Sequence, residues 1–169
     1  MSLELQLSSR HWSCDHVERL DPTTGQSVLV RPHLPMTPAE QSAVKELLDE
    51  AAGEPIEQCS GPVHLGDGGD FQVECGGRQS GYIETFTLRV NRELTPNLLG
   101  FVISLLDAGN LILVSKRDGA AISLKEANFD DAPVEMQPRI ICHSADELRD
   151  VLQNGVPADH RSPAGSLET

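Results

Sequence analysis

Positive charge is scarce in this chain. Thirteen Lys and Arg stand against 26 Asp and Glu, a formal net charge of −13 over 169 residues. A field of that sign repels phosphate backbones and anionic lipid surfaces, so direct nucleic-acid binding and membrane-surface binding are disfavoured. Long apolar runs are missing too. The longest, LLGFVISLL from Leu98 to Leu106, is interrupted by Gly100 and Ser104, and it falls far short of the ~20 residues a membrane helix needs. The N-terminal MSLELQLSSRHWSCDH lacks a basic start followed by an apolar stretch, so no secretory leader is expected and the expected residence is the cytoplasm. Cysteine is sparse: Cys14, Cys59, Cys75 and Cys142 contain no CxxC spacing and read as reduced, mostly buried thiols. Internal repeats, low-complexity tracts and the GxSxG turn of a nucleophilic serine are all absent.

What is present is ordinary globular composition, 38% hydrophobic and 23% charged, enough to bury a core. Three helices are marked by their ends. Thr37-Pro38-Ala39-Glu40 forms a capping box with proline at the first helical position, followed by Val44, Leu47, Leu48 and Ala51 on one face and by Gly53 and Pro55 as stop signals. Glu40, Lys45, Glu46, Asp49 and Glu50 are expected on its outer face. A second helix opens at Thr95-Pro96 and is apolar nearly all the way round, which predicts a buried helix. A third opens at Ser144, with Glu147 completing a capping box, and ends at Asn154-Gly155.

Short alternating or β-branched runs predict strands over Leu3 to Leu7, Gln26 to Val30, Phe71 to Cys75, Tyr82 to Val90, Leu111 to Val114, Ala121 to Leu124 and Arg139 to Cys142. Tyr82, Glu84, Phe86, Leu88 and Val90 share one face of the longest run, and Asp118-Gly119 reads as a hairpin turn. The expected order is ββαββαβββα. Hairpins outnumber helical crossovers, so the expected class is α+β, a mostly antiparallel sheet of about five to seven strands with three helices packed on it. Residues 1–156 read as a single domain and 157–169 as a loose tail.

Several stretches carry residues that could do chemistry. HWSCDH, His11 to His16, holds two imidazoles, a thiol and a carboxylate. A closed zinc site needs four ligands in two close pairs, and no second pair accompanies His11 and Cys14, so no metal site is expected. The segment reads as a strand with Trp12 and Cys14 turned into the core. Gly66-Asp67-Gly68-Gly69-Asp70 suggests a phosphate or calcium loop, but it precedes a strand, and its acids repel phosphate. It reads as a glycine-rich turn within a hairpin region, Gly61 to Gly77. Cys142 and His143 sit before a helix N-terminus, where a thiol can be activated. Neighbours on a strand face opposite ways, however, and Cys142 reads as a core residue.

The remaining lead is the distribution of acid. Between Glu40 and Glu84 there are ten acids and two bases, a net −8. Such a surface steers and holds a cationic protein. The chain resembles the small cytoplasmic immunity proteins that bacteria keep against secreted antibacterial toxins. The resemblance rests on size, acidity, α+β organisation and the run RELTPNLLGFVISLLDAGNLILVSKRDG, a capped apolar helix leading into a strand and hairpin. It implies a one-to-one complex with a cognate toxin such as a nuclease, no enzymatic activity and no cofactor. The residues expected to contact a basic partner are Glu46, Asp49, Glu50, Glu54, Glu57, Asp67 and Asp70. Two other classes remain open. One is a metal-binding or hydrolytic enzyme built on His11 to His16, His64 and Cys142-His143. The other is a homo-oligomeric subunit associating through a sheet edge or the second helix.

Overall fold

The structure is a computed structural model and describes residues 3–53, 61–76, 85–91, 93–115 and 119–155. Nine strands and three α-helices follow in the order β1 (Leu3–Ser8), β2 (Val17–Leu20), β3 (Ser27–Val30), α1 (Pro38–Ala52), β4 (Gly61–Val63), β5 (Phe71–Gly76), β6 (Thr85–Val90), α2 (Pro96–Ala108), β7 (Ile112–Ser115), β8 (Ala121–Ser123), β9 (Arg139–Ile141) and α3 (Ala145–Asn154). Seven strands form one sheet in the order β4-β5-β6-β1-β7-β8-β9, and β2 and β3 form a separate two-stranded ribbon. Every pairing is antiparallel except β8 with β9. That pair is linked by a crossover containing a short 3-10 helix, Glu126–Phe129. The expected α+β class, mostly antiparallel sheet and three helices are all observed.

Alternation decides which side of the sheet is covered. Leu5 and Leu7, Phe71 and Val73, Phe86, Leu88 and Val90, Leu113, Ile122 and Ile140 all face the helices and are buried with Val44, Leu48, Leu98, Leu105, Leu148 and Val151. The opposite side is divided. Near β7 to β9, a small apolar cluster of Ile112, Ala121, Phe129 and Ala132 is covered by the crossover. Across β5, β6 and β1 it is polar, with Arg89 flanked by Glu4 at 3.4 Å and Glu74 at 3.3 Å.

The helix ends form as their residues demand. The Thr37–Glu40 capping box is closed in both directions, and Gly53 terminates α1 at φ +75°, a left-handed conformation that suits glycine. Ser144 caps α3 by accepting from the Glu147 N–H, but the Glu147 carboxylate reaches the N–H of His143 at 2.7 Å instead of closing the expected box. α2 is central, with Leu98, Leu99, Val102, Leu105 and Leu106 buried. It is not enclosed: Asn97, Gly100, Ser104 and Asp107 form an exposed stripe.

Some expectations need correction. β2 and β4 were not anticipated, so each helix is preceded by three strands. The strand beginning at Tyr82 is described from Thr85, where Phe86, Leu88 and Val90 are buried as expected. Tyr82, Glu84, Asp118, Pro55 and the tail 157–169 lie outside the described residues. HWSCDH is not a strand: only Trp12 makes a bridge, to His33. Cys14 is exposed instead of facing the core, because the chain has left the sheet by residue 9 and is entering the ribbon.

Candidate functional site

The acids expected to bind a partner sit in two unlike settings. On α1, Glu46 and Glu50 are exposed, and Asp49 is half-buried, its carboxylate accepting a hydrogen bond from Lys45 Nζ at 2.7 Å. These positions follow the helical period, opposite the buried stripe of Val44 and Leu48. Glu54 and Glu57 lie outside the described residues.

Asp67 and Asp70 belong to the turn between β4 and β5. Asp67 is exposed but structurally engaged: its two carboxylate oxygens accept from the N–H of Asn97 at 3.0 Å and of Gly69 at 3.2 Å. Burial pushes its carboxyl pKa up, but those backbone donors and the Thr95 hydroxyl outweigh it and hold the group below the usual carboxylate range. Asp67 thus supplies a second acceptor at the N-terminus of α2, beside Thr95, which caps Leu98. The turn is glycine-rich for a steric reason at one position: a Cβ on Gly69 would collide with the Thr95 hydroxyl and lie 3.1 Å from Leu98 Cβ. Asp70 is half-buried, 3.4 Å from His64 Nδ1.

One acid expected on the outer face of α1 lies on its buried side. Glu40 is only 8% exposed and is held from three directions. His11 Nε2 donates to its Oε1 at 2.7 Å, the Thr37 N–H donates to the same oxygen at 2.9 Å, and Asn110 Nδ2 donates to Oε2 at 2.8 Å. Burial alone raises the Glu40 pKa, yet the combined donation from Asn110, Thr37 and His11 brings it below its ordinary value of 4.5. The arrangement clamps three distant segments: the exit of β1, the start of α1 and the end of α2. Asn110 there adopts φ +49°, a conformation Asn tolerates better than most residues. Both carboxylate oxygens serve this clamp.

The neighbouring rings are structural as well. Trp12 stacks on His33 with centroids 4.4 Å apart, and His33 Nε2 donates to the Ser9 carbonyl at 2.8 Å. Cys14 and His16 are exposed and do not share the His11 site. Among the described residues, no group of three His, Cys, Asp or Glu side chains is placed to hold a metal ion. Cys142 is buried as expected, and burial, reinforced by the Glu147 charge, pushes its thiol up to about 11, while His143 points outward. That is the reverse of an activated cysteine.

The second side of the sheet has an open cleft of ≈ 380 Å³ lined by Glu126, Phe129, Asp130, Arg139 and Ile141. Arg139 is committed to its walls, donating to the carbonyls of Met136 and Pro133 and lying 5.4 Å from the Phe129 ring centroid.

Fold and site together define an α+β protein with a helix-covered seven-stranded sheet, an acidic helix face and a projecting ribbon. No protein-family model matches the chain, and neither a curated protein sequence nor a solved structure matches it. No helix among the described residues is long and apolar enough to cross a membrane.

Proposed function

We propose that this protein is a non-enzymatic acidic binding protein that neutralises a basic protein partner, as an immunity protein neutralises a cognate toxin such as a nuclease. The observation that carries this reading is the concentration of charge: the 45 residues from Glu40 to Glu84 hold a net −8 of the chain's −13. Glu46 and Glu50 display part of that charge on the outer face of α1. A rigid helix presenting carboxylates to solvent accelerates encounter with a cationic surface and fixes its orientation. Glu54, Glu57, Asp49 and Asp70 extend the proposed contact, and it needs neither cofactor nor catalytic group. Asp67 is a poorer contact than its exposure suggests, because a partner would compete with the α2 N-terminus for its oxygens.

The test is a pair of charge reversals that leave the internal carboxylates alone. The double variant Glu46→Lys, Glu50→Lys is expected to fold normally and to lose a basic partner that the wild type retains at low salt and releases at high salt. Retention of that partner by the variant would place the contact elsewhere.

A further inference from the structure

The ribbon β2–β3 departs from every other part of the structure. Of the residues from Cys14 to Leu29, all except Asp21 are exposed, and they include Val17, Leu20 at 72%, Val28 and Leu29 at 66%. A two-stranded ribbon standing alone is marginal in water, and apolar side chains on both its faces are costly to leave there. Its root is nevertheless firmly built. Trp12 stacks on His33, and Arg31 donates to the carbonyls of Ser13 at 2.8 Å and Asp131 at 2.7 Å. The ribbon is therefore held out as a defined arm.

The strand edges differ in a way that names the occupant. β4 and β9, at the two ends of the sheet, are only three residues long, with Pro62 in one and Arg139 in the other; β2 carries Glu18 and Arg19. Shortness, proline and charge are the usual devices against strand addition. β3, reading SVLV, has no proline and no charge. The Asp21 N–H donates to the Gln26 carbonyl, so the pair closest to the turn is hydrogen-bonded. In antiparallel ribbons such pairs alternate, which directs the N–H and C=O of Ser27 and Leu29 away from β2. A strand added here has to bring a free edge of its own that none of these devices guards. Among the described strands, the exposed edge that meets this requirement is β3 itself.

We infer that β3 pairs antiparallel with β3 of a second copy, forming a four-stranded ribbon about a two-fold axis. An axis perpendicular to the ribbon keeps each face on its own side. Leu20 and Leu29 of one copy thus continue into Leu29 and Leu20 of the other. Two chains of charge −13 repel each other, so raised salt should strengthen this association, whereas it weakens an acidic–basic contact. The inference stands independently of the proposed basic partner.

Sedimentation analysis of the purified protein alone, up to ~1 mM and at low and raised salt, tests it. The expected result is a monomer–dimer equilibrium that shifts toward dimer with salt. Two variants report on the edge: Leu29→Glu, which places a charge on it, and Ser27→Pro, which removes an outward N–H. Both should be monomeric at concentrations where the wild type dimerises, with wild-type circular dichroism. A wild type that stays monomeric throughout, or a dimer that survives both substitutions, would overturn the inference.

Discussion

Helix α1 carries the same residue type in two opposite roles. At its first turn Glu40 is buried and serves three donors; further along the helix, Glu46 and Glu50 stand in water. A carboxylate enclosed with donors on both oxygens holds the fold together, and its negative charge is spent locally. A carboxylate on the outer face contributes little to stability and much to the field that an approaching protein meets. The formal charge of −13 therefore overstates what is available for binding. Glu40 and Asp67 belong to the architecture, while Glu46 and Glu50 are left facing solvent.

Substituting each class in turn tests that division. Glu40→Ala should have the largest effect, removing the acceptor of three donors and leaving His11, Asn110 and the Thr37 N–H to find water in a confined space. The expected loss is ~2–4 kcal/mol, measurable by urea denaturation. Its pH dependence has a definite sign. Because the folded pKa of Glu40 lies below 4.5, its contribution is complete above that value and is lost as pH falls through the lowered folded pKa. Glu40→Gln should flatten the acid limb of stability against pH; an unchanged limb would assign acid sensitivity to other carboxylates.

Asp67→Ala should cost less than Glu40→Ala, since Thr95 remains as the primary cap of α2. Its signature is local: faster amide exchange at Asn97 and Gly69 than in the wild type. Equal exchange rates would show that the Asp67 contact contributes nothing. Smallest of all, Glu46→Lys and Glu50→Lys should each change stability by less than ~0.5 kcal/mol. A large loss from either would erase the distinction between the two ends of α1.

The legible parts of the structure were those written locally. Thr37, Thr95 and Ser144 mark the three described helix starts because a cap and the N–H group that donates to it lie within four residues. The strand runs from Leu3 and from Phe71, and the 86–88–90 alternation, follow from period-two burial. β2 was missed because VERL shows two charges and no apolar face, which is how an exposed ribbon strand reads. β4 was missed because three residues containing Pro62 carry no pattern.

The burial of Glu40 is legible in the helical period, since it lies four residues before Val44 on the buried stripe, although its polarity alone points outward. Its partners are not, since His11 and Asn110 are brought to it only by the completed fold. Asp67 is similar, looking like a loop acid until the hairpin delivers it to the N-terminus of α2. The exposure of Cys14 depends on where β1 ends and the ribbon begins, which no local pattern specifies.

The central claim is that the outer face of α1 holds a basic protein. It is tested most directly by immobilising the wild type and the Glu46→Lys, Glu50→Lys variant side by side and passing extract from the native source over both. A single stoichiometric basic protein on the wild-type column alone, eluting as salt rises, is the predicted result. A bare wild-type column, or the same protein held equally by the variant, would contradict it.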